Sequence, residues 1–371
     1  MNSKVFRIIV LLAAFFMLPY FAWAAPAITN VSGVVSNDQG VTINGSGFGV
    51  KTQAAPVYWN NLEGETTGTL PSGWTISSKP GAVVSTADKW SGTKSLYFAM
   101  KQANQTLPGW NQIKRDLGAS PKWYFYFKNK LKKNDDSTQF QWKSWRITSS
   151  PDGYAWNSED STTIANNDWW WDSTPRWFNA SILGYNNAGA AALTDAWLSR
   201  SDAILLNQWQ TLEEYIQMSS SPLVADGIIH TYRDGLSIVS KTDIITHDAG
   251  SNQWRYMLLG QGMVGEVGAT TGVDADIYYD DIYIDNTQAR VMLCDAATWA
   301  ARSNCEIQIP TAWADGSVGI NVNQGKFAAN SNAYLYVVDG NGNANANGYA
   351  VTFATQADTT PPAAPTGLSV L

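Results

Sequence analysis

The run Asp226-Gly-Ile-Ile-His-Thr-Tyr-Arg-Asp-Gly235 places His230 and Tyr232 two residues apart between two Asp-Gly pairs. Residues two apart on a strand share a face, and Asp-Gly marks a turn. An imidazole and a phenol held side by side can take and give a proton, which is what β-elimination from a uronic acid requires. A cation at Lys143 or Arg255 would neutralise the sugar carboxylate during that step. A histidine serving only its strand fits the same spacing and is the simpler reading. Paired acids for glycoside hydrolysis are missing, because Glu213 and Glu214 are adjacent and face opposite ways on a strand.

Other constellations suit binding better than catalysis. In 123–128, Phe125 and Phe127 alternate with Tyr124, Tyr126 and Lys128. In 211–218, Leu212, Ile216 and Met218 read as core, leaving Glu213, Tyr215 and Gln217 on the other side. In 139–146, Gln141, Lys143 and Trp145 share one face against Trp142, Ser144 and Arg146. Neighbouring strand residues point to opposite sides, so Trp169, Trp170 and Trp171 cannot all enter one core. Trp170 is therefore expected to be exposed in a polar loop, with Arg176 close by. Aromatic rings stack on pyranose faces while amides and charges bond hydroxyls and acidic groups. Asp276, Asp280 and Asp281 lie in an acidic stretch and suggest a structural calcium ion, which takes hard oxygen ligands. Alternation spreads these carboxylates over both faces.

The elements that must position these groups are strands. Alternating runs bounded by Gly, Asn, Asp and Ser mark 41–44, 95–100, 123–130, 140–148, 209–218, 227–234, 254–259, 276–285 and 333–339. Only 188–200 reads as a short helix. Charged residues are 15% of the 371 and aromatics 12%, with 18 Trp. The net charge of −7 excludes a phosphate-tracking surface, so nucleic acid is not an expected partner.

At the N-terminus, Lys4 and Arg7 precede an apolar run that ends at Pro19, and Ala22-Trp23-Ala24 follows. These are the parts of a secretory signal peptide over residues 1–24. No later stretch is long and apolar enough to span a bilayer. Cys294 and Cys305 are the only cysteines, and in an exported chain a disulfide between them is the expectation.

Resemblances to known families add to this reading. The opening run Ile28-Thr-Asn-Val31 through 40–49, together with 306–309, 313–320 and 333–340, resembles an IPT/TIG immunoglobulin-like domain. The run 57–64, the Leu70-Pro-Ser-Gly-Trp74 turn, 91–98 and the closing 278–285 resemble a concanavalin A-like or laminin-G-like jelly roll. The jelly-roll resemblance implies a structural calcium ion in some members, and a Trp or Tyr before Asp-Gly where this chain has Tyr232. The tail 358–370 resembles the start of a fibronectin type III segment. Neither the Glu-x-Asp-x-x-Glu strand of the retaining glucanases nor the Arg-rich and Tyr-x-Lys-x-Gly-x-Tyr strands of the alginate lyases occurs.

The expectation is an all-β chain in which a concanavalin A-like jelly-roll sandwich is inserted into an immunoglobulin-like β-sandwich. Residues 26–55 plus 286–356 would form the outer sandwich, 56–285 the jelly roll and 357–371 a Pro/Thr linker. The functional expectation is a secreted or cell-surface protein that recognises a polysaccharide through Tyr124, Tyr126, Lys128, Gln141, Trp169, Trp170, Trp171, Arg176, Glu213, Tyr215 and Gln217. Alternatives are a polysaccharide lyase acting on a uronate polymer, or an extracellular matrix module that binds protein. Catalysis is left open, and no cofactor beyond calcium is implied.

Overall fold

Alternating runs satisfy their backbone groups only by pairing with one another. The computed structural model describes residues 25–77, 81–101, 112–134, 140–149, 162–171, 176–186, 189–199, 204–247, 252–261 and 274–354. In chain order the strands are β1 (Ala27–Ser32), β2 (Gly40–Ser46), β3 (Tyr58–Asn60), β4 (Thr75–Ile76), β5 (Ala82–Ser85), β6 (Ser95–Lys101), β7 (Ile113–Ser120) and β8 (Lys122–Lys133). They continue as β9 (Phe140–Thr148), β10 (Thr162–Trp171), β11 (Arg176–Asn186), β12 (Gly189–Ser199), β13 (Gln210–Gln217), β14 (Ala225–Arg233), β15 (Leu236–Ile245) and β16 (Trp254–Gln261). The last are β17 (Asp274–Asp285), β18 (Arg290–Cys294), β19 (Cys305–Ile307), β20 (Ile309–Ala314), β21 (Ser317–Asn321), β22 (Asn332–Val338) and β23 (Tyr349–Thr352). One 3-10 turn, Trp299–Ala301, is the sole helical element among the described residues.

Two large sheets pack face to face as a jelly-roll sandwich. One runs β15-β14-β13-β8-β17-β6-β5, with β3 also on β17, and the other runs β12-β11-β10-β9-β16-β7-β4. Between them lie Trp123, Phe125 and Phe127 of β8, Ile277 and Tyr279 of β17, and Trp142, Trp145, Trp254 and Met257 from the facing sheet. Phe125 meets Trp145 with ring centroids 5.1 Å apart, and Phe127 meets Tyr279 at 5.4 Å. Each fully buried aromatic of this kind contributes roughly 1.5–3 kcal/mol by leaving water.

Trp142 and Trp145 are both buried, against the alternation that put Trp145 on the face opposite Trp142. The β9–β10 register shifts between Asn166 and Asp168, so Ser144 and Trp145 together oppose a single partner residue. A bulge of this kind turns the following side chains to the other face.

The first and last described segments build a second, smaller β-sandwich. Its sheets run β1-β2-β21-β20 and β19-β18-β22-β23. Ile43 pairs with Val318, and both share one apolar core with Val291, Leu293, Leu335 and Val337. The chain enters and leaves the jelly roll side by side. Tyr58 of β3 pairs with Ile284 of β17, and the buried Lys51 ammonium lies 2.6 Å from Asp285.

The helix expected over 188–200 is instead β12, laddered to β11 from Trp177↔Ser199 to Asn186↔Gly189. Tertiary pairing of an alanine-rich run outweighs its local helix propensity. Cys294 and Cys305 stand directly opposite each other on β18 and β19 and are disulfide-bonded. No helix among the described residues is long and apolar enough to cross a membrane. The signal-peptide expectation (1–24) and the tail resemblance (358–370) lie outside the described residues.

Candidate functional site

Alternation along β8 and β13 sorts the side chains as the sequence implies. Phe125, Phe127, Leu212 and Ile216 go to the jelly-roll core, and Tyr124, Tyr126, Lys128, Glu213 and Tyr215 to the opposite face. That face is not an open groove over its centre, because the second sandwich lies on it. Tyr124, Tyr126, Tyr215 and Tyr283 pack against Met292, Cys294, Cys305, Ile307 and Tyr336 in one buried cluster.

The charges there are met from across this seam. Tyr126 Oη donates to the Cys305 carbonyl at 2.8 Å. Lys128 Nζ donates to the same carbonyl at 2.8 Å and to Thr211 Oγ1 at 2.9 Å, with Glu306 at 3.4 Å. Tyr124 Oη donates to Glu213 Oε2 at 2.8 Å, and Arg290 Nη2 reaches the same oxygen at 3.1 Å. Burial alone pushes the Glu213 carboxyl up, but Arg290, Arg302 and Tyr124 outweigh it and hold it below the usual carboxylate range. Burial pushes the Tyr124 and Tyr126 phenols well up. Tyr124, Tyr126, Lys128 and Glu213 therefore fasten the two sandwiches together and do not face a ligand, which corrects the expected site. The physical reason is that alternation marks the side of a strand turned from its own core, and a second layer can cover that side.

On one flank the same face continues as an aromatic strip. Tyr97 of β6 pairs with Tyr278 of β17, which pairs with Lys130 of β8, and Trp209 lies next to them just before β13. Ring centroids are 5.2 Å apart for Tyr97–Tyr278 and 6.2 Å for Trp209–Tyr278. Trp90 meets Trp209 edge-on at 6.4 Å. Tyr97, Trp90 and Trp209 are half-buried and Tyr278 is more deeply set.

Polar groups frame this strip. Trp209 Nε1 donates to Asp88 at 2.9 Å, and Lys130 lies 2.7 Å from the same carboxylate. Tyr97 Oη donates to Asp276 at 2.7 Å, with Lys132 at 3.4 Å from that carboxylate. The ammonium groups of Lys128 and Lys326 lie 4.1 Å and 3.8 Å from the Trp90 ring centroid. Burial pushes the Tyr278 phenol up to about 12, and burial with the bond to Asp276 raises Tyr97, so both remain donors near neutrality. Sequence reasoning missed this strip. Tyr97, Tyr278 and Trp209 fall within expected strand runs, Trp209 as the first residue of 209–218, whereas Trp90 sits in a loop and carries no periodic signal.

The other flank carries His230 and Tyr232, the pair considered for proton transfer. His230 of β14 pairs with Tyr215 of β13, their rings nearly parallel at 6.3 Å, and Tyr232 lies 6.4 Å from His230. Ser240 Oγ is 3.2 Å from His230 Nδ1, and Tyr215 Oη donates to Gln217 at 2.8 Å. Burial lowers the His230 pKa and pushes the Tyr215 phenol up to about 12. Lys143 and Arg255 are not with them. Lys143 is on β9 and Arg255 on β16, both in the opposite sheet, and Arg255 forks onto Asp116 at 2.8 and 2.7 Å. The cations that act on Tyr232 are Arg290 and Arg302.

The three aspartates considered for calcium do not converge. Asp276 faces the aromatic strip, Asp280 accepts from the Trp90 backbone at 3.0 Å, and Asp281 is buried near Asn323 and Glu306. No group of three His, Cys, Asp or Glu side chains among the described residues is placed to hold a metal ion. This set therefore does not fit a calcium ion. Burial and the neighbouring Glu306 push the Asp281 carboxyl up.

Trp169, Trp170 and Trp171 end strand β10 and do not form a loop: Trp170 pairs with Trp177, and Trp171 with Arg176. On the other side Trp170 pairs with Gln141. The side chains of Gln141, Lys143, Trp169, Trp170, Trp171 and Arg176 lie outside the described residues.

No family model matches the chain, and no curated protein matches it in sequence. Among solved structures it is similar to an alginate lyase in complex with an alginate trisaccharide, with TM-score 0.46 and 13% identity, covering 64% of this chain and 99% of that one. It is also similar to an endo-β-1,4-glucuronan lyase from the fungus Trichoderma reesei, with TM-score 0.43 and 12% identity, covering 62% of this chain and 96% of that one. A third similar structure is a cellulose-induced protein, with TM-score 0.37 and 13% identity, covering 62% and 97%.

Proposed function

We propose that the chain is an extracellular polysaccharide-binding protein and that the strip Tyr97–Tyr278–Trp209 is where the glycan lies. One observation carries this reading: the half-buried rings of Tyr97 and Trp209, from a strand and a loop, flank the buried Tyr278 ring at 5.2 and 6.2 Å. Protonated phenols and the Asp88–Lys130 and Asp276–Lys132 pairs border them. Such a surface offers apolar faces for stacking beside donors and acceptors for hydroxyls. The disulfide and the N-terminal signal pattern support placement outside the cell. The IPT/TIG resemblance of the small sandwich supports its role as a stalk or spacer.

The test is binding of the full chain to a panel of soluble polysaccharides by calorimetry, with Trp209→Ala compared against wild type. Loss of about tenfold in affinity is expected where stacking dominates. Equal affinity in a variant with an unchanged far-UV spectrum would refute the assignment.

A lyase is the second reading, and the half-buried His230 stacked on Tyr215 favours it. With Lys143 and Arg255 in the other sheet, Arg302 would have to act on the uronate carboxylate. Incubation with uronate polymers decides this reading, since elimination creates a conjugated double bond that absorbs in the ultraviolet. A flat absorbance trace with every polymer rules it out.

A further inference from the structure

The strip is bordered on one side by the second sandwich, and the residue that reaches over the border is a cation. Lys326 lies between β21 and β22, in the outer sandwich, yet its ammonium sits 3.8 Å from the centroid of Trp90, a residue of the jelly roll. Lys128, from β8, lies 4.1 Å from the same ring. Lys130, two residues further along β8, is held at 2.7 Å by Asp88, which also accepts from the Trp209 indole at 2.9 Å.

Three lysines thus gather around two tryptophans, and they differ in what satisfies them. Lys128 is fully buried and bonded to Thr211 and the Cys305 carbonyl. Lys130 has Asp88. Among the described residues, Lys326 has no carboxylate oxygen within 4.0 Å of its ammonium: Glu306 accepts from Trp90 Nε1 at 2.9 Å and from the Lys326 backbone N–H at 3.3 Å, and lies 3.4 Å from the Lys128 ammonium. Burial first, then Lys128, and last Lys130 hold the Lys326 pKa below the ordinary lysine value, against the opposing pull of Glu306 and Asp88. An anion arriving between Lys326, which is exposed, and Lys130 would relieve that lysine–lysine repulsion through charge-assisted hydrogen bonds to both ammonium groups.

We propose that Lys326 and Lys130 form an anion subsite across the seam between the two sandwiches, and that the glycan bound on the aromatic strip carries carboxylate or sulfate groups. This rests on the reading of the strip as the glycan site and adds the substrate class to it. It also makes the site composite: the jelly roll supplies the rings and Lys130, and the outer sandwich supplies Lys326. The chain's net charge of −7 would repel a polyanion at long range, so local cations are needed to select one.

The test measures dissociation constants of the full chain for a polyuronate, a sulfated polysaccharide and a neutral β-glucan, at low and high salt, for wild type, Lys326→Gln, Lys326→Arg and Trp209→Ala. Wild type should prefer one acidic polymer, which identifies carboxylate or sulfate, and that preference should weaken with salt. Lys326→Gln should lose about tenfold for the acidic polymer, the size of one charge-assisted hydrogen bond. The same variant should lose salt sensitivity and leave neutral-glucan binding unchanged, while Lys326→Arg should retain affinity. If Trp209→Ala weakens binding but Lys326→Gln does not, the anion subsite is refuted and the strip stands. Preference of wild type for the neutral glucan also refutes the subsite. Absence of binding to all three polymers refutes both.

Discussion

Replacing Arg290 by Met tests most directly whether the outer sandwich seals the face of the jelly roll. Arg290 and Glu213 are 6% and 2% exposed, 3.1 Å apart, and come from different sandwiches. Among the described residues, the variant leaves the Glu213 carboxylate with the Tyr124 hydroxyl as its remaining donor, and it removes the guanidinium stacked 4.3 Å over the Tyr124 ring. Stranding a buried charge in this way costs about 3–5 kcal/mol. The pH dependence follows from sign. In wild type the Glu213 carboxyl is held below its ordinary value, so its contribution is full above the unfolded carboxylate pKa and is lost as pH falls through the lowered one. Without Arg290, Arg302 and Tyr124 alone oppose burial and the pKa rises, so protonation relieves the variant and its deficit should narrow between pH 7 and about pH 4.5. Urea unfolding followed by tryptophan fluorescence at both pH values measures this. A loss under about 1 kcal/mol at pH 7, as for an exposed ion pair, would show that water reaches the seam and would refute the sealed interface. Glu213→Gln combined with Arg290→Met should recover part of the loss, because no charge is then stranded.

Three further outcomes are expected. Cys294→Ala with Cys305→Ala removes a bridge spanning 11 residues and should cost roughly 2–3 kcal/mol; unchanged unfolding midpoints would contradict the linkage. Gly260→Ala combines a φ of +73° with a Cβ that would run into the Phe98 ring, so a loss of about 1–3 kcal/mol is expected from thermal unfolding, and a neutral result would exclude that close approach. His230 has a pKa lowered by burial, so its contribution is full above the free histidine value near 6.5 and lost as pH falls through the lowered one. His230→Gln should therefore lose less stability than wild type on going from pH 7 to about pH 5, and parallel curves would mean that the ring is solvated.

Local pattern was enough to sort Phe125 and Phe127 from Tyr124 and Tyr126, and to place His230 and Tyr232 on one face, because strand geometry forces a two-residue period. The same period misplaced Trp145, since a bulge adds one residue that alternation cannot count. It also left 188–200 as a helix, since alanine carries a helical preference whose reversal depends on a partner strand 3 to 22 residues away in register.

The candidate site shows the same division. That Tyr124, Tyr126, Lys128 and Glu213 share the face turned from the jelly-roll core is a property of the sequence alone. That Cys305, Glu306 and Arg290 cover them is a property of the tertiary structure, because those partners lie 77 to 179 residues away in the chain. Polar side chains read as solvated until a distant segment supplies the donors and acceptors that make their burial tolerable. The half-buried strip, with Trp90 and Trp209 from loops and Lys326 from beyond the seam, is assembled by the same event: one sandwich settled on the face of the other and brought Lys326 to its edge.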